Sequence, residues 1–270
     1  MDRRKFTQNI SSAFLLLAGG SVFPLNAFPS RQNIKLRFAV TSDGHYGQPE
    51  TDYEGFHHTI TKAINEFHDK NPLDFCVING DIIHDNPDVL DTAAQVLKTI
   101  RPPLFVTKGN HDLVSAEKWE TVWSMPVNHA MVLKEQVILL GTTSNEKGEY
   151  LCPDLEWFTQ KLEEYKDAEN IFIFIHITPV RWTTHAKDCV PFQKLLRKNK
   201  NIRAVFNGHD HDEDGINQLA HIPFLFDGHF GGNWGTSYRG FRVVEMLQDN
   251  SLFTYMMNPF LKAETVKLPG

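Results

Sequence analysis

Residues 104–112, Leu-Phe-Val-Thr-Lys-Gly-Asn-His-Asp, constrain the fold of this 270-residue chain more than any other stretch. A short apolar run, Leu104, Phe105 and Val106, leads into a polar turn that sets Asn110, His111 and Asp112 side by side. A buried strand ending in a glycine turn is where open α/β sheets put ligands, at the carboxyl ends of their strands. Gly109 is expected to let the backbone turn sharply, so that three neighbouring side chains converge. Asn110 offers a neutral oxygen, His111 an imidazole, and Asp112 a carboxylate able to fix a neighbouring ring's tautomer. One such triplet is compatible with an ordinary turn. It gains weight because other strand ends repeat the pattern.

In chain order, residues 34–41 read as a strand that opens onto Ser42, Asp43, Gly44 and His45. Residues 59–68 read as a helix with Ile60, Ala63, Ile64 and Phe67 on one face. A second buried strand at 73–78 ends at Gly80 and Asp81, and an amphipathic helix at 89–100 is stopped by Pro102 and Pro103. Beyond 104–106 the pattern continues with a strand at 137–140, a helix at 153–165 and a strand at 171–175 that ends at His176. A helix at 192–197 and a strand at 204–206 then run into Gly208, His209, Asp210 and His211. From Ile222 onward the chain is strand-rich, at 222–226, 241–246 and 252–256. Alternating strands and helices imply an α/β fold with a mostly parallel sheet, and the tail implies antiparallel strands added to it.

The strand ends therefore carry Asp43 and His45, Asp81, Asn110 and His111, His176, and His209 and His211. Histidines scattered over a surface would not track strand ends in this way. Carboxylate and imidazole together suit Zn, Mn and Fe, and two such ions held close together need one ligand shared between them. A carboxylate has two oxygens and can bridge, whereas an imidazole cannot. Asp81, alone at its strand end, is the expected bridge.

The ends of the chain and its charge narrow the setting. Arg3, Arg4 and Phe6 precede an apolar run at 13–18, and 21–27 supplies small residues near a plausible cut. A basic head, a short apolar stretch and a small-residue exit describe a secretory signal over 1–27, too short for a membrane span. An uncleaved amphipathic anchor is the alternative. The paired arginines point to twin-arginine export machinery, which would place a single domain, 28–270, in the periplasm or otherwise outside the cytoplasm. A net charge of −6 argues against a long nucleic-acid partner, which needs clustered Lys and Arg. Cys76 lies in an apolar strand and reads as a core thiol. The spacing of Cys152 and Cys189 leaves open whether they pair.

Taken in order, Asp43-Gly44-His45, Gly80-Asp81, Gly109-Asn110-His111-Asp112, His176 and Gly208-His209-Asp210-His211 resemble the calcineurin-like metallophosphoesterases. Within that superfamily the chain is similar to the bacterial, exported branch that includes class III cyclic-nucleotide phosphodiesterases. The resemblance implies a four-layer α/β/β/α sandwich, two mixed sheets flanked by helices, and a dinuclear centre of Mn, Fe or Zn. It implies that Asp43, His45, Asp81 and His211 hold one ion, and that Asp81, Asn110, His176 and His209 hold the other. His111, kept in orientation by Asp112, would be the catalytic acid beside the metals. A water between two cations becomes hydroxide near neutral pH, and in-line attack on a phosphate ester then needs a proton for the departing oxygen.

The pattern departs from relatives at three places. Purple acid phosphatases carry a metal-binding Tyr where this chain has His84, so a Tyr-ligated ferric centre is not expected. A His at this spacing is similar to the double-strand-break repair nucleases, where it helps orient a phosphodiester; a polar loop residue is the plainer reading. Many bacterial cyclic-nucleotide phosphodiesterases have His-His-Pro, where this chain has His176-Ile177-Thr178-Pro179. Residues 228–235 are glycine-rich, with His229 and Trp234 as candidate substrate-binding residues, and Trp234 or Phe230 as a stacking surface for a base or sugar. A bulge and turn with core aromatics is the competing reading. The expected activity is hydrolysis of a small organic phosphodiester or monoester. A nuclease or nucleotidase, and a non-catalytic exported module that binds metal or ligand, are the alternatives.

Overall fold

Strands that are apolar on both faces must be covered on both faces, and that requirement builds this molecule. The computed structural model describes residues 14–16, 22–24, 33–259 and 261–268. The expected leader, 1–27, lies outside these apart from β1 (Phe14–Leu16) and β2 (Val22–Pro24), which pair antiparallel. The core strands of the first sheet are β3 (Ile34–Thr41), β4 (Phe75–Asn79) and β5 (Leu104–Thr107), all parallel. The second sheet contains β6 (His129–Leu133), β7 (Gln136–Gly141), β8 (Ile171–Ile175), β9 (Ile202–Asn207), β10 (Ile216–Leu219) and β11 (Ile222–Phe226). Antiparallel β12 (Phe241–Leu247), β13 (Leu252–Asn258) and β14 (Leu261–Leu268) complete the first sheet. The two six-stranded sheets run in the orders β14-β13-β12-β3-β4-β5 and β10-β11-β9-β8-β7-β6.

The period-2 alternation of side chains divides each strand between two cores. Leu36, Phe38, Val40, Phe75 and Val77 of the first sheet meet Ile138, Leu140, Phe172, Phe174 and Phe206 of the second. Phe38 stacks on Phe75 at 4.5 Å and presents an edge to Phe206 at 5.5 Å, so aromatic packing joins sheet to sheet. On its other face the first sheet is covered by α1 (Tyr53–Lys70), α2 (Leu90–Leu97) and α3 (Ala116–Trp123). The second sheet is covered by α4 (Leu155–Glu164) and α5 (Val190–Lys198). The result is the expected α/β/β/α sandwich.

Local signals explain the boundaries. Helix α1 begins well before residue 59, because Asp52 caps it by accepting from the Gly55 N–H. A 3-10 turn, Pro87–Val89, sits where the sequence suggested the start of the next helix. Cys152 and Cys189 form a disulfide, which ties the segment before α4 to the start of α5, and Cys76 is a buried free thiol.

Candidate metal centre

The polar strand ends come together on one side of the sandwich, and the loops that carry them are bonded to one another. The Asp43 N–H donates to the Gly80 carbonyl at 3.0 Å and the His45 N–H to the Asp81 carbonyl at 3.0 Å. The Gly208 N–H donates to the His176 carbonyl at 3.0 Å, and the His209 N–H to Asp43 Oδ2 at 2.9 Å. Asp43, His45, Asp81 and His209 all sit at left-handed φ, at 58°, 46°, 50° and 71°, a conformation that L residues other than Asn and Asp seldom adopt. Glycines permit the close approach. A Cβ on Gly80 would lie 2.4 Å from the His176 ring, and one on Gly109 would lie 2.2 Å from Asp81 Oδ1. Gly109 is therefore required for proximity to Asp81 rather than for the sharp turn the sequence suggested.

Two groups of ligand atoms that include a carboxylate result, Asp43 with His45 and His211, and Asp81 with His176 and His209. Asp43 Oδ1 lies 3.2 Å from His211 Nε2, 3.8 Å from His176 Nε2 and 3.9 Å from His45 Nε2. Asp81 accepts the His111 N–H with Oδ1 at 2.8 Å and points Oδ2 at His176 Nε2, 3.1 Å away, with His45 Nε2 at 3.9 Å. Both carboxylates thus stand between the two groups. His176 Nδ1 donates to the Asn79 carbonyl at 2.7 Å, which turns Nε2 toward the centre. His45 Nε2 and His211 Nε2 face each other at 2.9 Å.

These residues fit a pair of cations. Asp43 Oδ1, Asn110 Oδ1, His176 Nε2 and His209 Nε2 have no hydrogen-bond partner although they are shut away from solvent. Burying electron-pair donors together without a cation or proton is costly. Charge behaves accordingly. Burial opposes a proton on His176, yet Asp81 and Asp43 hold that ring up to about 10. Burial opposes ionisation of Asp43 too, but His211 and His176 bring its carboxyl well below the usual range. Burial pushes His45 down to about 3 and His209 down to about 4, so both rings keep their lone pairs.

Asn110 is buried at the edge of this cluster, and His111 stands at its rim with its side chain 28 % exposed. Asp112 does not orient His111. Its Oδ1 accepts the Ile83 N–H at 3.0 Å and its Oδ2 the Gly109 N–H at 2.9 Å, so it braces the loop. Burial, with Asp81 nearby, raises the Asp112 carboxyl to about 6. The partner of His111 is Asp85, whose Oδ1 lies 2.8 Å from Nδ1. Sequence reasoning passed over Asp85 as part of a polar loop, and passed over Asn79, which sits just before Gly80 and holds His176.

His84 is at the site. It contacts His45, Nδ1 to Nδ1, at 3.0 Å and stacks on His111 at 5.0 Å. His45, His84 and His111 also approach closely enough to share an ion, but this trio brings no carboxylate of its own and borrows His45 from the first group. Trp234 is 43 % exposed and stacks on His211 at 4.2 Å. His229 is not open to substrate. It is buried behind His211, with Nδ1 2.6 Å from the Gly231 carbonyl. Phe230 is likewise a core side chain, packed edge-on to His57 at 4.8 Å. The glycine-rich segment serves chain approach: the Gly231 N–H donates to the Asp43 carbonyl at 2.9 Å, and a Cβ there would meet the Gly44 carbonyl oxygen.

Residues 36–213 match the family described as calcineurin-like phosphoesterase. A Psychrobacter arcticus protein described as a probable cyclic nucleotide phosphodiesterase is 25% identical over 164 residues. That match takes in 52% of this chain and 57% of the relative, so the chain spans a little over half the relative's length. Among solved structures, a dimetal phosphatase from Danio rerio superposes with a TM-score of 0.70 at 13% identity, over 88% of this chain and 99% of that one. GAP50 of Plasmodium, described as the anchor in the inner membrane complex, gives 0.65 at 15% identity, over 87% and 88%. The purple acid phosphatase PPD1 of yellow lupin gives 0.64 at 13% identity, over 95% and 58%. At such identities the structural likeness is one of fold.

Proposed function

We propose that this chain, which belongs to the calcineurin-like phosphoesterase family and is a metal-dependent phosphoric ester hydrolase, cleaves a small phosphodiester outside the cytoplasm. The observation that carries the reading is the convergence of Asp43, His45 and His211 with Asp81, His176 and His209, beside a rim histidine. These residues, with Asn110, would hold two transition-metal ions, Mn, Fe or Zn. Bound there, such ions supply Lewis acidity toward the phosphate oxygens and toward the attacking water.

The remaining work falls to the chain. Asp43 and Asp81 set the spacing of the centre, and the Asn79 carbonyl fixes the His176 tautomer. His111, held at Nδ1 by Asp85, presents Nε2 to protonate the departing oxygen. His84, stacked on His111, is placed to donate to a non-bridging oxygen. A singly charged diester suits this rim better than a dianionic monoester or a long polyanion. The cavity wall beside the centre carries Asp210, Asp212 and Glu213, and no lysine or arginine is among its lining residues. The relative described as a cyclic nucleotide phosphodiesterase supports the same preference.

Export is supported by the basic, apolar and small-residue pattern at 1–27 and by the Cys152–Cys189 disulfide, which is at home in an oxidising compartment.

The test is elemental analysis after loading with Mn, Fe or Zn, with turnover measured on bis(4-nitrophenyl) phosphate, 4-nitrophenyl phosphate and cyclic AMP. About two ions per chain and faster diester cleavage are expected. Monoester-only activity overturns the diester preference, and failure to take up any metal overturns the centre.

A further inference from the structure

A ligand side chain keeps its direction only as well as the groups behind it hold it. His176 donates Nδ1–H to the Asn79 carbonyl, and its ring lies against Gly80, where a Cβ would come within 2.4 Å of Nδ1. The placement of the ring therefore depends on the backbone of Asn79 and Gly80, at the end of β4. The Asn79 side chain is held from two directions. The hydroxyl of Thr107, which occupies the paired position on β5, donates to its Oδ1 at 2.8 Å, and its Nδ2 donates to Asp227 Oδ2 at 2.7 Å. All three side chains are fully buried, so water does not compete for these bonds. Asp227 follows β11, and its bond to Asn79 thus crosses from the second sheet to the first. The Asp227 N–H donates to the Asn207 carbonyl at 2.8 Å, and Asn207 Nδ2 donates at 2.9 Å to the carbonyl of Ile175, the residue before His176. Asp227, Asn79, His176, Ile175 and Asn207 therefore close a circuit of bonds that begins and ends behind the His176 ring. Asp227 Oδ1 has no partner. Burying a carboxyl for a single side-chain bond stabilises a fold poorly, which points to the placement of Asn79 as its use.

We propose that Thr107 and Asp227 are positioning residues for the ion held by Asp81, His176 and His209, acting through Asn79 on the His176 ring. The inference rests on the two-ion reading of the centre and adds the residues that set the strength of one of its positions. The test titrates metal-free protein with Mn alone and reads two dissociation constants by calorimetry. Thr107→Val keeps the shape of the side chain and removes its donor; Asp227→Ala removes the acceptor. In each, the affinity for one ion should fall about ten- to hundredfold while the other stays within about threefold. Asp227→Asn retains an acceptor for Asn79 Nδ2 and should bind both ions within about threefold of the unmutated protein. Equal weakening of both ions, or of neither, overturns the inference, because a merely structural role would not single one out. Should Asp227→Ala fail to fold, Thr107→Val carries the test. The Nδ1 proton of His176 reads the same contact without any ion. In NMR spectra of metal-free protein, the imidazole proton signal that disappears in His176→Gln should exchange with solvent several-fold faster in Thr107→Val, and an unchanged rate overturns the inference. If the unmutated protein takes up no metal, the two-ion reading fails, and this proton alone decides the role of Thr107 and Asp227.

Discussion

The contact between His111 and Asp85 separates a residue that reacts from one that positions it. His111→Ala removes the group placed to protonate the departing oxygen, and loss of a general acid costs about a hundredfold or more, near 2.7 kcal/mol in the barrier. Asp85→Asn leaves the imidazole in place and removes only its charged partner. The side chains of His111 and Asp85 are 28% and 53% exposed, so water and salt screen the 2.8 Å contact. Ion pairs screened in this way are worth about 0.2–1 kcal/mol, which translates to roughly 1.4- to 5-fold in rate. The two variants should therefore differ by more than an order of magnitude in kcat/KM on bis(4-nitrophenyl) phosphate. Metal content should match the unmutated protein in both, because neither residue belongs to the two ligand groups that include a carboxylate. Loss of metal in His111→Ala would place that ring among the ligands. An Asp85→Asn defect as deep as that of His111→Ala would refute the assignment of Asp85 as a positioning residue.

Gly109→Ala would set a methyl 2.2 Å from Asp81 Oδ1 and 2.3 Å from the Asp81 amide nitrogen, so the loop must move; elemental analysis should show lost metal, and full occupancy would contradict the packing argument. Chelation should lower the thermal midpoint, because an ion at a hundredfold excess over its Kd adds about 2.7 kcal/mol, or about 5–11 °C for a domain of this size. An unchanged midpoint would mean that the centre contributes nothing to stability. Replacing both members of the Cys152–Cys189 pair, which are 37 residues apart, should cost about 2–4 kcal/mol in denaturant unfolding. Burial raises the Asp227 carboxyl well above its ordinary range, although Asn79 donates to it at 2.7 Å. Its contribution to stability is then complete below the ordinary carboxylate range and is lost as pH rises through the raised value. In metal-free protein the midpoint of Asp227→Asn should gain on that of the unmutated chain as pH climbs from about 4, and a constant gap would count against a neutral Asp227.

How much was legible depended on whether a feature was local. Strands β3, β4 and β8 are buried along most or all of their length, so their apolar runs stand out, and the polar residues just past each end mark the site. Strands β6 and β10 lie at the edge of their sheet and are largely half-buried, so they carry no strong run or alternation and went unread. Helix α3 is short, and its buried Trp119, Val122 and Trp123 become a recognisable face only once Ser115 is seen to cap it. The partner of His111 was misread for a similar reason. Asp112 is its neighbour in sequence, but adjacent side chains on this turn point apart. Asp85 arrives from another loop, held by its own N–H donating to the His111 carbonyl at 3.1 Å. Residues 228–235 were ambiguous because glycine permits both ligand approach and chain approach, and only the contact of Gly231 with the Asp43–His45 loop decides between them.

The backbone of the centre holds these ligands close to one another. Asp43, His45, Asp81 and His209 occupy left-handed φ, which costs a residue such as histidine about 1–2 kcal/mol and is more readily visited by Asp. Such strain persists where surrounding bonds over-determine it. Here the Asp43 and His45 amides are tied to the loop after β4, the His209 amide to the Asp43 carboxylate, and the Asp81 carboxylate to the His111 amide. Each of these residues is thus held by a strand end other than its own, and no single loop can relax without breaking a bond to another. In a centre built in this way, backbone bonds between the loops take part in gathering the ligands. Binding has only to neutralise charge and displace the proton that Asp81 and Asp43 hold on His176. Metal uptake should therefore release protons without a large change in secondary structure, so the stabilisation by metal should follow the ion's own affinity rather than any refolding of the loops.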